Sequence, residues 1–135
     1  MENKTMRKTL SPDNAERVLD GPLLIFDLPA MMKKIKQEDS WENGQRNAIT
    51  LLKSDNMRLV LIALRAGEEI NFRQSDNLIS LQLLEGNSEF RANDKTVVLK
   101  QGHLLTLHEN IEHSLVAISE TIFLLTIGNG NMHTE

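Results

Sequence analysis

From Gln45 onward the chain is cut into short apolar runs, separated by Gly, Asn, Asp or Ser at intervals of roughly eight to twelve residues. That punctuation is the pattern of a β-sandwich or barrel. About eight strands are expected, near 46–53, 57–65, 69–72, 78–84, 88–91, 96–99, 103–107 and 113–118, with 121–127 closing the domain. Ala92-Asn93-Asp94-Lys95 reads as a hairpin turn between two of them. The run MRLVLIAL at 57–64 is apolar at nearly every position. Successive side chains of a strand point to opposite faces, so this strand needs cover twice, by the barrel interior and by another layer or another subunit.

The segment before Gln45 has a different texture. Ser11-Pro12-Asp13 has the chemistry of a helix start, with Ser11 as N-cap and Pro12 at the first helical position, and a short helix is expected through Val18 and Leu19. Leu23-Leu24-Ile25-Phe26 reads as a strand, and Asp27 as the cap of a helix over 29–35. Within that helix Met31, Met32 and Ile35 share one face, a spacing that belongs to core packing. Trp41 ends the segment ahead of an Asn43-Gly44 turn signal. The expected organisation is an N-terminal extension over 1–44 packing on a barrel over 45–127, followed by a tail over 128–135 that is expected to fray.

A length of 135 residues suits one domain with one core. The formal charge of −4, with basic and acidic residues interspersed, leaves no basic stripe for a run of phosphates, so nucleic acid is not an expected partner. The chain has no cysteine, hence no disulfide framework and no thiolate nucleophile or metal ligand. Behind MENKTMRKTL there is no apolar stretch long enough for a signal peptide or a membrane span, so the reading is cytoplasmic with no membrane partner.

Two glycine-framed segments carry a resemblance to the cupin superfamily, whose motifs are G(X)5HXH(X)3-4E(X)6G and G(X)5PXG(X)2H(X)3N. Counting from Gly67, the first motif's histidines fall on Arg73 and Ser75, its glutamate on Ile79 and its closing glycine on Gly86. From Gly102, the second motif's proline falls on His108, its glycine on Asn110, its histidine on His113 and its asparagine on Ala117. The stretch 21–29 followed by Trp41 also resembles the front end of small bacterial cupin-domain proteins. The resemblance implies an all-β fold, a double-stranded β-helix or jelly-roll barrel with one or two short N-terminal helices. Gly67, Gly86 and Gly102 would then sit at tight corners that need a positive φ or close backbone approach.

In metal-binding cupins three histidines and a glutamate converge inside the barrel. At the matching positions stand a guanidinium, a hydroxyl, a hydrocarbon and His113, a set too poor in donors for an imidazole and carboxylate metal site. The expectation is therefore no metal and no cofactor. Arg73, Ser75, Ile79 and His113 are the candidates for lining a ligand site in the barrel. Arg73 could present its fork to a carboxylate or phosphate inside, or pair with Asp76 or Glu69 at the mouth. His113 points inward in this reading, either as a hydrogen-bonded core residue or as a ligand-orienting group. His103 and His108 read as solvated corner residues. With Ile79, Leu81 and Leu83 on the inner face the pocket is apolar, or simply filled.

The leading functional reading is a non-enzymatic small-molecule-binding or structural module. Its ligand would be a small organic molecule, an anion if Arg73 faces it, and the assembly a homodimer. The alternative is an enzyme that uses His113, either through unusual metal ligands or as a metal-free isomerase. The histidine–tyrosine pair of cupin sugar epimerases is ruled out, because the chain has no tyrosine.

Overall fold

The computed structural model describes residues 19–38, 41, 46–72 and 77–128. One helix, α1 (Leu28–Ile35), precedes nine strands: β1 (Asn47–Lys53), β2 (Met57–Leu64), β3 (Glu69–Phe72), β4 (Leu78–Glu85), β5 (Asn87–Ala92), β6 (Lys95–Lys100), β7 (Leu104–Leu107), β8 (His113–Ala117) and β9 (Thr121–Gly128). They form two antiparallel sheets, β1-β2-β9-β4-β7 and β3-β8-β5-β6, packed face to face as a jelly roll. Each of the nine runs expected from the sequence forms a strand, with ends shifted by a residue or two. Gly128, placed in the tail by sequence, instead closes β9 and pairs with both Met57 and Leu78.

Apolar side chains sort into two clusters. Between the sheets lie Ile62 and Leu64 of β2, Leu81 and Leu83 of β4, Phe90, Leu99, Leu115, Ala117, and Phe123 and Leu125 of β9. On the other side of the first sheet, Leu61 and Ala63 of β2 meet Ile49, Leu51 and Ile122 under Met31, Ile35 and Trp41. The second cover that β2 requires is therefore α1 and Trp41 of the same chain. Over Leu61 and Ala63 this face gives no reason to invoke a partner subunit.

The start of α1 follows its sequence. Asp27 Oδ1 accepts the Ala30 backbone N–H at 3.1 Å and Pro29 sits in the first turn, while Lys33 and Lys34 lie where the helix dipole favours positive charge. The apolar run 23–26 is not a strand. Leu23 and Ile25 are 67% and 53% exposed, and the segment meets the barrel through Phe26. Its continuous apolar run marked it as a strand, but it joins neither sheet. The helix expected from Pro12 lies outside the described residues.

Charged groups pin the extension to one end of the barrel. Lys36 Nζ bonds the Glu85 carboxylate and stands 3.8 Å from that of Glu120. The Arg65 guanidinium lies over the Trp41 ring at 4.3 Å, donates to the Trp41 carbonyl, and stands 3.8 Å from Glu120.

The corner glycines all take a positive φ: +88° at Gly67, +92° at Gly86 and +91° at Gly102. Gly86 carries a second constraint, because a Cβ there would sit 2.0 Å from the Glu120 carbonyl oxygen. The same corner holds a polar network. The Asn87 carbonyl accepts from the Ile118 N–H and the Thr121 hydroxyl, and Ser88 donates to the fully buried Thr121 Oγ1 at 3.0 Å. Substituting Gly86→Ala should therefore cost about 3 kcal/mol or more, from the φ strain and the carbonyl clash together. Gly102→Ala meets open space and should lose only the backbone part, about 1 kcal/mol or slightly more. Urea unfolding midpoints of the two variants check this ranking, and equal losses would refute it.

Candidate functional site

His113 opens β8, a strand whose alternate residues His113, Leu115 and Ala117 are buried. Register sets its neighbours: on one side it pairs with Phe72 of β3, and on the other with Ala92 of β5. The Phe72 ring stacks on the imidazole with centroids 4.5 Å apart and planes 13° from parallel. Phe90 lies 5.4 Å away at a tilt of 36°. His113 is thereby reduced to 5% exposure. Its Nδ1 is 2.9 Å from the Ile111 carbonyl oxygen, which can only accept, so Nδ1 carries the hydrogen and donates it. Burial among these rings disfavours the imidazolium and lowers the pKa of His113. The Ile111 hydrogen bond works weakly the other way.

Beside His113 a cleft of about 370 Å³ opens between strand ends, lined by Asn71, Phe72, Arg91, Ala92, Asn93, Glu112, His113 and Ser114. The one guanidinium among these residues is already engaged, since Arg91 Nη2 and Nε stand 2.7 and 3.2 Å from Glu89 Oε1.

Of the four residues singled out by sequence, Arg73 and Ser75 lie outside the described residues. Ile79 and His113 both point into the barrel, but from facing sheets. Ile79 pairs with Leu107 and Ile127 and lines a different, smaller groove of about 290 Å³ with Leu78, Ser80, Thr106, Leu107, His108, Thr126 and Gly128. Leu81 and Leu83 are buried in the interior as alternation requires. His103 accepts the Lys100 N–H within its own exposed turn, and His108 reaches only toward Glu109 at 3.7 Å.

Sequence reasoning missed Phe72 and Phe90, the rings that set the chemistry of His113. Their inward alternation with Ile70 and Ser88 was readable; the β3–β8 and β5–β8 pairings that bring them to the histidine join residues 21 to 47 positions apart.

The resemblance implies a divalent metal inside the barrel, and the side chains of the described residues do not fit one. At the position the motif gives to a carboxylate, Ile79 offers hydrocarbon. The rings around His113 offer no lone pair, and no three His, Asp or Glu side chains converge among the described residues.

Residues 62–128 match the family model of the AraC-like ligand binding domain. No curated protein matches the chain. Among solved structures, a cupin superfamily protein from Desulfitobacterium hafniense superposes with a TM-score of 0.60 at 16% identity, over 62% of this chain and 77% of its own. A conserved protein of unknown function from Streptococcus pyogenes is similar over more of the chain, with a TM-score of 0.61, 19% identity, and coverage of 89% and 93%. A salicylate 1,2-dioxygenase from Pseudoaminobacter salicylatoxidans gives a TM-score of 0.71 at 17% identity, over 87% of this chain but 38% of the larger protein. At such identities these likenesses establish the fold.

The surroundings of His113 have a pH consequence. Its folded-state pKa lies below the unfolded value of about 6.5, so the unfolded chain takes up a proton first as pH falls. The stability linked to this residue is complete above about pH 6.5. It is lost as pH drops through the folded-state pKa, with no further loss below it. An NMR titration should place the His113 midpoint below the ordinary histidine value of about 6.5. Unfolding free energies of wild type and His113→Phe should diverge in slope just below pH 6.5, and parallel slopes there would contradict this account.

Proposed function

We propose that this chain, which has the cupin-type fold and matches the AraC-like ligand binding domain over residues 62–128, is a metal-free, non-enzymatic module that binds a small organic molecule at the His113 end of its barrel. The observation that carries this is the 5% exposed imidazole, held by a backbone carbonyl and two aromatic rings at the wall of a 370 Å³ cleft. A cleft of that size lies at the lower end of the range for small-molecule sites. A catalytic base needs an acid or orienting partner within hydrogen-bond reach. Among the described residues the hydrogen-bond partner of His113 is the Ile111 carbonyl, so binding suits the site better than proton transfer. Arg73 and Ser75 stay in the proposal as sequence neighbours of Phe72.

A homodimer in the cytoplasm completes the reading. Its support is the part of the first sheet that α1 leaves uncovered, where Met57, Leu78 and Leu104 are exposed, Leu104 at 63%. Ser80, Thr106 and Thr126 pair across the same sheet between them, giving a face of uncharged side chains. Light scattering at micromolar concentration should give twice the 15.3 kDa chain mass, and Leu104→Arg should give the single chain without loss of fold. A wild-type monomer removes the dimer from the proposal.

The binding site is checked by amide chemical-shift mapping with a set of neutral and anionic ring-containing fragments. Saturable shifts should cluster at 71–72, 91–93 and 112–114. Shifts confined to 78–80 and 106–108, around the Ile79 groove, would overturn the assignment to His113.

A further inference from the structure

The hydrogen-bonding state of His113 narrows what the cleft can hold. Nδ1 is committed to the Ile111 carbonyl, so the neutral ring has its lone pair on Nε2. That atom has no hydrogen-bond partner among the described residues. Among the described residues the buried side-chain atom left unpartnered is Arg65 Nε, so His113 Nε2 keeps contact with open space despite the residue's burial. The site therefore presents an acceptor, fixed in direction by the Ile111 bond and the Phe72 stack.

The charges around it point the same way. Glu112 lines the cleft, and the Arg91 guanidinium is bound by Glu89 on the same strand, so a carboxylate ligand would meet an anion and a lone pair with no free cation among these residues. β3 contributes Asn71 and Phe72 and β8 contributes Ser114, all uncharged. A flat ring suits a wall made by Phe72 and Ala92, and a phenolic O–H is a stronger donor than an aliphatic one.

We propose that this cleft recognises an uncharged phenolic molecule whose hydroxyl donates to His113 Nε2 while its ring packs beside Phe72. The proposal rests on the reading of the His113 end as a small-molecule site and specifies the class of ligand.

The test titrates the full chain near pH 7.5 with phenol, anisole, cyclohexanol and benzoate. Affinity is read by calorimetry or shift mapping, and the Nε2 resonance is followed by 15N NMR. Phenol should bind at the cleft and move the Nε2 resonance in the direction of an accepted hydrogen bond. Anisole, which keeps the ring and loses the donor, should bind about tenfold more weakly. Cyclohexanol and benzoate should also be weaker than phenol. His113→Phe should abolish the preference for phenol over anisole, and the Nε2 reading on wild type stands even if that variant fails to fold. Equal binding of anisole and phenol would overturn the hydrogen bond while leaving a small-molecule site in place. Equal binding of cyclohexanol would overturn the aromatic requirement, and tighter binding of benzoate the uncharged one. If no probe binds at the cleft, both the ligand class and the site are lost.

Discussion

A strand that is apolar on both faces cannot lie at a surface, and β2 imposes that constraint on everything around it. Ile62 and Leu64 commit one face to the barrel interior, and Leu61 and Ala63 commit the other to a second layer. At about 25 cal/mol per Å² of apolar surface removed from water, uncovering several such side chains would outweigh any single polar contact. α1 exists in this context as the lid of that layer. An eight-residue helix is too short to be stable in isolation, and it persists because Met31 and Ile35 are buried against the sheet.

The polar contacts then determine where that lid sits. Lys36 and Arg65 converge on Glu85 and Glu120, two acids beside the Gly86 corner. Half-exposed ion pairs contribute little each, but these join the end of α1, Trp41, the end of β2 and the β8–β9 turn at one place. The corner is also where the chain tolerates least change, since the Glu120 carbonyl occupies the space a side chain on residue 86 would need. The opposite end of the sheets, where β3 stops and β8 begins, has no comparable clamp among the described residues. That is the end at which His113 meets its cleft.

How much of this was legible follows from the range of each interaction. Gly67, Gly86 and Gly102 were readable as corners because a positive φ is a local demand that one residue type meets cheaply, and all three take it. The strands were readable because their apolar runs are local as well. The run at 23–26 misled for the same reason: a short apolar run does not say whether a ladder partner is available, and this segment joins neither sheet. The need for a second cover on β2 could be inferred from MRLVLIAL alone. That the cover is α1 could not, because a helix of the same chain and a neighbouring subunit satisfy the same pattern. His113 was identifiable from its spacing to Gly102, whereas its rings arrive through pairings distant in the chain.

Those rings change what the histidine means. In a metal-holding barrel an imidazole needs other donors and a carboxylate near it, and the cation balances their charge. Here Ile79 stands where that carboxylate would be, and Phe72 and Phe90 pack against the imidazole. The backbone hydrogen bond on Nδ1 is retained, and in a metal site the same kind of bond would orient a ligand histidine. Orientation without charge leaves a directed, neutral acceptor held by two aromatic rings at the wall of a cleft whose other side chains are mostly polar. Because Nε2 opens to the cleft, water can donate to it in the free protein. The chemistry of this barrel end thus suits a hydrogen-bond donor rather than a cation, and a small molecule bound there would have to replace that water with a donor of its own.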